Sequence, residues 1–304
     1  MTTGLRAATR KSTLARTQTD LIAGLLGVEV TPVVVDTMAD RDPDTPVWAM
    51  NDRGVFVKEV QEAVLDGRAD LAVHSAKDLP STTPDGLVIG AIPEREDPRD
   101  ALVGRALGRL PVGALIGTGS IRRRAQLAWL RADLTFAGLR GNIETRLAKA
   151  HDFDAIVVAV AALRRLDRLA SAADVLDVGQ MVPQVGQGAL AVECRAGDSG
   201  MHELLAGIDH AVSRSAVEAE RAWLAELGGG CDSPVGAHAT VDEGGTIHLT
   251  GMLASGDGRI VLRDWAYGDD PVEVGRGLAR RMIERSGGAW LVDEASPAVA
   301  PVPA

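Results

Sequence analysis

The stretch AVHSAKDLP, residues 72–80, ends an apolar run in a hydroxyl, an ammonium and a carboxylate: Ser75, Lys77 and Asp78. Pro80 then blocks further regular structure. Such a run-out is either an ordinary loop or a strand that delivers an acid to a site. In IGTGSIRRR, residues 116–124, a small-residue turn offers backbone N–H groups and the hydroxyls of Thr118 and Ser120 at a helix start. Arg122 and Arg123 follow in the first turn, where cations oppose the macrodipole and an anion would offset the conflict. GLRGNIETRL, residues 138–147, sets Arg140 between two glycines, then an N-capping Asn142, with Arg146 one turn into the helix. ATRKS places Arg10 and Ser12 at another strand-to-helix junction, and ALRRL adds Arg164 and Arg165 after the longest apolar run. Taken singly, each stretch also fits a capped, solvated basic helix or a surface turn. Together, four strand ends each deliver an arginine in a chain of formal net charge −10. Arginine forks pair with carboxylates in bidentate fashion, so the implied ligand bears several carboxylates or phosphates. Cys231 stands in the open glycine loop LGGGCDSPVGA, exposed to reagents, whereas Cys194 in the apolar ALAVEC reads as inert core.

The elements that must position these groups alternate. LRAAT (5–9), TLARTQTDLIAGLL (13–26) and VEVTPVVV (28–35) read strand, helix, strand. GVFVKEVQEAVLDG (54–67) is a helix closed by Gly67, and DLAVH (70–74) and LVIGAI (87–92) are strands. The charged EREDPRD (94–100) marks a domain crossing, after which the alternation restarts through ALIGT, IRRRAQLAWLRA, LTFAG, NIETRLAKA and DAIVVAVA. The GQG at 186–188 precedes ALAVEC (189–194), which carries the chain back to the first unit. From Asp209 a long helix, three strands (235–241, 246–254, 259–266) and a last helix form a separate small domain. The tail EASPAVAPVPA reads as disordered. The expected fold is α/β: two lobes built like periplasmic binding proteins plus a small C-terminal α+β domain. Its bounds are 1–95 with 187–207 for lobe 1, 99–184 for lobe 2, 210–292 for the C-terminal domain and 293–304 for the tail. Ligands in such sheets bind beyond the carboxyl ends of the strands, where His74–Asp78, Gly117–Ser120 and the start of GLRGN after Ala137 all fall.

Composition narrows the function. The negative charge argues against nucleic acid and anionic membranes as partners. No apolar run approaches the ~20 residues of a membrane helix. The N-terminal MTTGLRAATRKS has no secretory core, so a cytoplasmic location is expected. With two cysteines and six scattered histidines, neither a disulfide framework nor a metal site is expected. No P-loop and no helix-opening GxGxxG is present, which counts against nucleotides.

ATRKS, GVFVKEV, ADLAVHSAKDLP, EREDPRDA, GTGSIRRRAQL, LRGNIETRL, VGQGALAVECR and GGGCDSPVGA, in this order, resemble the porphobilinogen deaminase family along nearly the whole chain. The resemblance implies a monomeric enzyme of tetrapyrrole biosynthesis that condenses four porphobilinogen molecules into hydroxymethylbilane with loss of four ammonia. The product grows on a dipyrromethane cofactor, implied by the GGGC match to hang by a thioether from Cys231. By the SAKD match Asp78 is the catalytic carboxylate, with Ser75 and Lys77 as contacts. The resemblance further implies that Arg10, Ser12, Thr118, Ser120, Arg122, Arg123, Arg140, Arg146 and Arg165 bind acetate and propionate groups. Asp40 resembles the loop aspartate near the pyrrole, and Gln187 the interdomain glutamine. The loop TMAD carries Ala39 where glycine is usual, Arg53 replaces a frequent lysine, and Ala162 a frequent glycine. Whether Lys77 meets Asp78 or the substrate carboxylates stays open, because alternation along a strand would point the two apart. The rival readings are a two-lobed carboxylate-binding protein without catalysis and a thiol-nucleophile enzyme using Cys231.

Overall fold

The computed structural model describes residues 4–38, 56–228 and 233–294. The chain begins with β1 (Leu5–Arg10), α1 (Thr13–Leu26), β2 (Val30–Val35), α2 (Lys58–Leu65), β3 (Leu71–Ser75) and β4 (Leu87–Ala91). It continues through β5 (Asp100–Gly104), β6 (Leu115–Gly117), α3 (Ile121–Leu130), β7 (Thr135–Ala137), α4 (Ile143–Ala148), β8 (Ala155–Ala159), α5 (Val160–Arg165) and β9 (Ala172–Leu176). β10 (Leu190–Arg195) and α6 (Ser199–Ala206) follow. The last block is α7 (Ala211–Leu227), β11 (Val235–Val241), β12 (Ile247–Ala254), β13 (Val261–Gly268), α8 (Pro271–Glu284) and α9 (Gly288–Glu294).

Two five-stranded sheets repeat one topology, β2-β1-β3-β10-β4 and β7-β6-β8-β5-β9. In each, a parallel trio is followed by an antiparallel strand that arrives from the other lobe. β5 is the first strand after the outward crossing, and β10 the first after the return. The βα alternation in the sequence only hinted at paired lobes; the shared strand order makes the pairing explicit. The central strands are covered on both faces, as the unbroken burial of Ala155–Ala159 requires. β5 and β9, five residues each, do not stand out as strands in the sequence, because Asp100 opens one and Asp174 interrupts the other.

In the C-terminal block, α7 and α8 cover one face of the antiparallel sheet β11-β12-β13 around fully buried Trp223, Leu278 and Met282. Asp270 caps α8 by accepting from the N–H groups of Val272 and Glu273, with Pro271 just inside the helix. The helices approach closely because Gly275 has no side chain: a Cβ there would lie 2.4 Å from the Ala219 carbonyl oxygen. The proline-rich tail beyond 294 falls outside the described residues.

Glu220 of α7, without solvent exposure, joins these parts. Its carboxylate accepts from Arg95 at 2.6 and 3.2 Å, from the Gly186 N–H at 2.7 Å and from the Ala239 N–H at 2.8 Å. Arg95 lies on the outward crossing, Gly186 on the return and Ala239 on β11, so one side chain ties both crossings to the C-terminal sheet. Burial alone would raise this carboxyl, but the charge of Arg95 and the approach of His238 hold it down to about 2. Its contribution is therefore present above the ordinary 4.5 and is lost as pH falls towards 2. Glu220→Gln leaves Arg95 buried without its counter-charge, and the expected loss is about 3–5 kcal/mol of stability near neutrality. Thermal denaturation across pH checks this: the gap to wild type should narrow below pH 4.5.

Candidate active site

From the first lobe, β3 runs into a single 3₁₀ turn, Ala76–Asp78, that carries Lys77 and Asp78 to the gap between the lobes. The turn is pinned from behind. Ala76 N–H donates to the Ala189 carbonyl at 3.0 Å, and Gln184 Nε2 donates to the Lys77 carbonyl at 3.1 Å. Gly186 and Gly188 take φ of 70° and 90°. A Cβ on Gly188 would stand 2.2 Å from the Glu96 carbonyl oxygen, so the return crossing presses on the outward one and only glycine fits. Ser75 Oγ accepts from Gln18 Nε2 at 2.9 Å, which ties the turn to α1. Arg10 ends β1 with its guanidinium 4.9 Å from the Phe56 ring centroid, and Ser12 caps α1 by accepting from Ala15 N–H.

The second lobe supplies the remaining cations. Thr118 Oγ1 accepts from the Ser120 N–H at 3.2 Å, and Ser120 caps α3 by accepting from the Arg123 N–H. Arg122 and Arg123 are buried and share one carboxylate, that of Asp100 at the start of β5. Arg122 Nη2 donates to Oδ2 at 2.7 Å, while Arg123 donates to Oδ1 from Nε at 3.1 Å and Nη2 at 2.8 Å. Their other ends donate to the carbonyls of Val182 and Val157. The anion that offsets two cations in the first turn of α3 is thus supplied partly by the chain itself. Burial alone would raise the Asp100 carboxyl, yet the two guanidinium charges hold it far below the usual carboxylate range.

Several residues singled out in the sequence come together electrostatically. Lys77 is half-buried with Nζ 3.4 Å from Gln187 Oε1. Burial, then the charge of Arg123, pushes its ammonium down to about 8 against the pull of Asp78 and Asp100. Arg146, one turn into α4 with Nε donating to the Gly141 carbonyl at 2.8 Å, is lowered to about 10 by burial, then by Arg123 and Arg140, against Asp78. Asp78 of one lobe and Arg123, Arg140 and Arg146 of the other therefore share one field. Across the mouth, Thr13 Oγ1 of α1 donates to Glu144 Oε2 of α4 at 2.9 Å.

Other residues stand further back. Arg165 donates to the Gly188 carbonyl at 2.6 Å, and burial lowers it to about 10. Arg164 pairs with Glu96 at 2.7 Å, so both arginines of ALRRL engage the crossings. Gln187 is fully buried and donates to the Pro98 carbonyl and to Asp100. Asp40 and Cys231, with Ala39 and Arg53, lie outside the described residues.

A narrow crevice where the two lobes meet the C-terminal block is lined by Lys77, Ser120, Arg122, Arg221 and Ser233. Ser233 stands two positions after Cys231 in the sequence, and Lys77 belongs to the SAKD turn. Arg122 Nε is buried in the crevice with no acceptor among the described residues. Arg221 and Asp100 escaped the sequence reading: one sits on an amphipathic helix like any surface charge, the other inside a charged break. Among the described residues no group of three or more potential metal ligands occurs, and no helix is long and apolar enough to cross a membrane.

The family model of the porphobilinogen deaminase dipyromethane cofactor binding domain matches residues 5–203, and that of the C-terminal domain matches residues 215–284. A porphobilinogen deaminase of Brevibacillus brevis is 43% identical over 95% of this chain and 96% of its own length. Another, of Moorella thermoacetica, is 46% identical over 94% and 95%. A periplasmic binding protein of Salmonella typhimurium superposes on 67% of this chain and 91% of its own at 11% identity, with a TM-score of 0.36, too slight to bear on function.

Proposed function

Because the chain belongs to the porphobilinogen deaminase family, we propose that its interlobe gap is the place where porphobilinogen units are joined into hydroxymethylbilane, with Asp78 as the catalytic carboxylate and Cys231 as the anchor of the dipyrromethane. The family acts as a transferase of tetrapyrrole biosynthesis. The observation that carries the reading is the single field shared by Asp78 with Arg123, Arg140 and Arg146, beside a cationic crevice lined by Lys77, Arg122 and Arg221.

The residues fit the cofactor. A dipyrromethane bears several carboxylates, and the crevice offers Lys77, Arg122 and Arg221, with Arg122 Nε buried and without an acceptor among the described residues. When bound, the cofactor supplies a nucleophilic pyrrole carbon and keeps the growing product attached. Lys77, Arg122, Arg123, Arg140 and Arg146 bind acetate and propionate groups, with Arg10, Ser12, Ser75, Thr118 and Ser120 completing the cradle. Arg165 and Gln187 act from behind, at the crossings. Asp40, outside the described residues, is assigned to the pyrrole ring by its match to the family's loop aspartate. Asp78 stabilises the positive charge that spreads onto the pyrrole nitrogen of porphobilinogen as its aminomethyl group loses ammonia. At ~4 Å and an effective dielectric of about 20 such a pair is worth about 4 kcal/mol. The protein works as a monomer in the cytoplasm, lobe 1 spanning 1–95 with 187–207, lobe 2 spanning 99–184 and the cofactor-bearing domain 210–292.

The test is direct. The purified protein should give a positive aldehyde colour test for bound pyrrole, release ammonia from porphobilinogen and form hydroxymethylbilane. It should also elute as a monomer, close to the 31.8 kDa of the bare chain. Porphobilinogen binding without ammonia release would mark a carboxylate-binding protein instead.

A further inference from the structure

We propose that Asp100 is a positioning residue, whose carboxylate holds Arg122, Arg123 and Gln187 in one arrangement around Lys77 and thereby aims the cationic cradle at the interlobe gap. The inference rests on the proposed role of that cradle, and goes beyond it in assigning the group that sets its geometry.

Asp100 is fully buried and is the first residue of β5, where it lies opposite Ala159 of β8 and Leu176 of β9. Two ladders therefore hold its backbone in lobe 2. Its two oxygens do different work: Oδ2 takes Arg122, while Oδ1 takes both Arg123 and Gln187 Nε2, the last at 3.0 Å. Gln187 in turn places Oε1 3.4 Å from Lys77 Nζ, so the chain of contacts runs from lobe 2 through the return crossing to the SAKD turn of lobe 1. The Asp100 carboxylate offsets enough repulsion to keep the two guanidinium groups packed side by side. Without an anion, two arginines in the first turn of α3 would repel each other and oppose the helix dipole.

Asparagine at this position keeps one acceptor and turns an amide donor towards the guanidinium groups, so it holds at most one of the two arginines. Glutamate keeps the charge but displaces it by one methylene. The two variants therefore separate charge from position. The charged groups around Lys77 are Asp78 on its own turn, Arg122 and Arg123 of α3, Asp100 of β5 and Arg221 of α7 across the crevice. The field of Asp100 favours the protonated lysine, so removing that charge moves the lysine's titration to lower pH. The chain contains only four lysines, Lys11, Lys58, Lys77 and Lys149, so acetylation by a small anhydride can be followed at each by peptide mass.

The experiment compares wild type, Asp100→Asn and Asp100→Glu as purified, with cofactor loading scored by intact mass, the acetylation midpoint of Lys77 measured across pH, and KM for porphobilinogen. For Asp100→Asn the expected result is impaired loading or a KM at least about tenfold higher. Its Lys77 midpoint should fall by about half a unit, threefold in reactivity at neutral pH, with the other three lysines unchanged. For Asp100→Glu the Lys77 midpoint stays near wild type while KM rises, because charge is kept and position is not. An Asp100→Asn protein with wild-type loading, KM and Lys77 midpoint overturns the proposal, as does an Asp100→Glu protein with wild-type KM. The second criterion applies even where the asparagine variant fails to fold. Arg123→Lys with wild-type loading and KM would instead overturn the cradle reading, independently of Asp100.

Discussion

Asp78→Asn is expected to lower turnover of porphobilinogen by about a thousandfold while the protein remains folded and loaded with cofactor. The magnitude follows from the role assigned to the carboxylate. A charge pair of about 4 kcal/mol that is realised only as the aminomethyl group departs appears in full as a rate effect, at about 1.4 kcal/mol per factor of ten. Asparagine has nearly the same shape and stands in a half-buried 3₁₀ turn whose backbone is held by Ala189 and Gln184, so the scaffold has no reason to move. The measurement is kcat under saturating porphobilinogen, alongside thermal denaturation and intact mass. Turnover within tenfold of wild type in a loaded protein removes Asp78 from the chemistry.

Cys231→Ala should abolish both the adduct and the activity. Intact mass then equals that of the bare chain, 31.8 kDa, whereas wild type is heavier by one dipyrromethane. A thioether needs a sulfur nucleophile, and the other cysteine, Cys194, is fully buried in lobe 1, where burial pushes its thiol up to about 11. It cannot substitute as the anchor. The colour test on the variant should be negative and hydroxymethylbilane undetectable. A Cys231→Ala protein that retains bound pyrrole places the attachment elsewhere.

Much of the site is legible in the chain itself, for a physical reason. SAKD, GTGSIRRR and LRGNIETR each join an apolar strand pattern to polar groups over a few residues, and strand ends in an alternating α/β sheet point the same way. Local rules also bring out β11, for which the stretch read from the sequence has the same bounds as the strand, and the Asn142 cap, which acts as its residue type requires. The partners of the arginines do not follow from such rules. In sequence Arg122 and Arg123 look like cations awaiting a ligand; in the fold they first satisfy Asp100 and two carbonyls. Glu220 and Arg221 are neighbours on one helix and read as ordinary surface charge, yet one is the junction of three structural parts and the other lines the crevice.

The inventory of chemistry, the order of elements and the strand ends where acid and cations emerge are all readable from the chain, since they rest on patterns spanning a turn or a strand. Which charges neutralise one another follows from the fold alone. The Asp100–Arg122 pair closes over 22 residues and Arg95–Glu220 over 125, distances at which sheet order and burial, not local spacing, choose the partner.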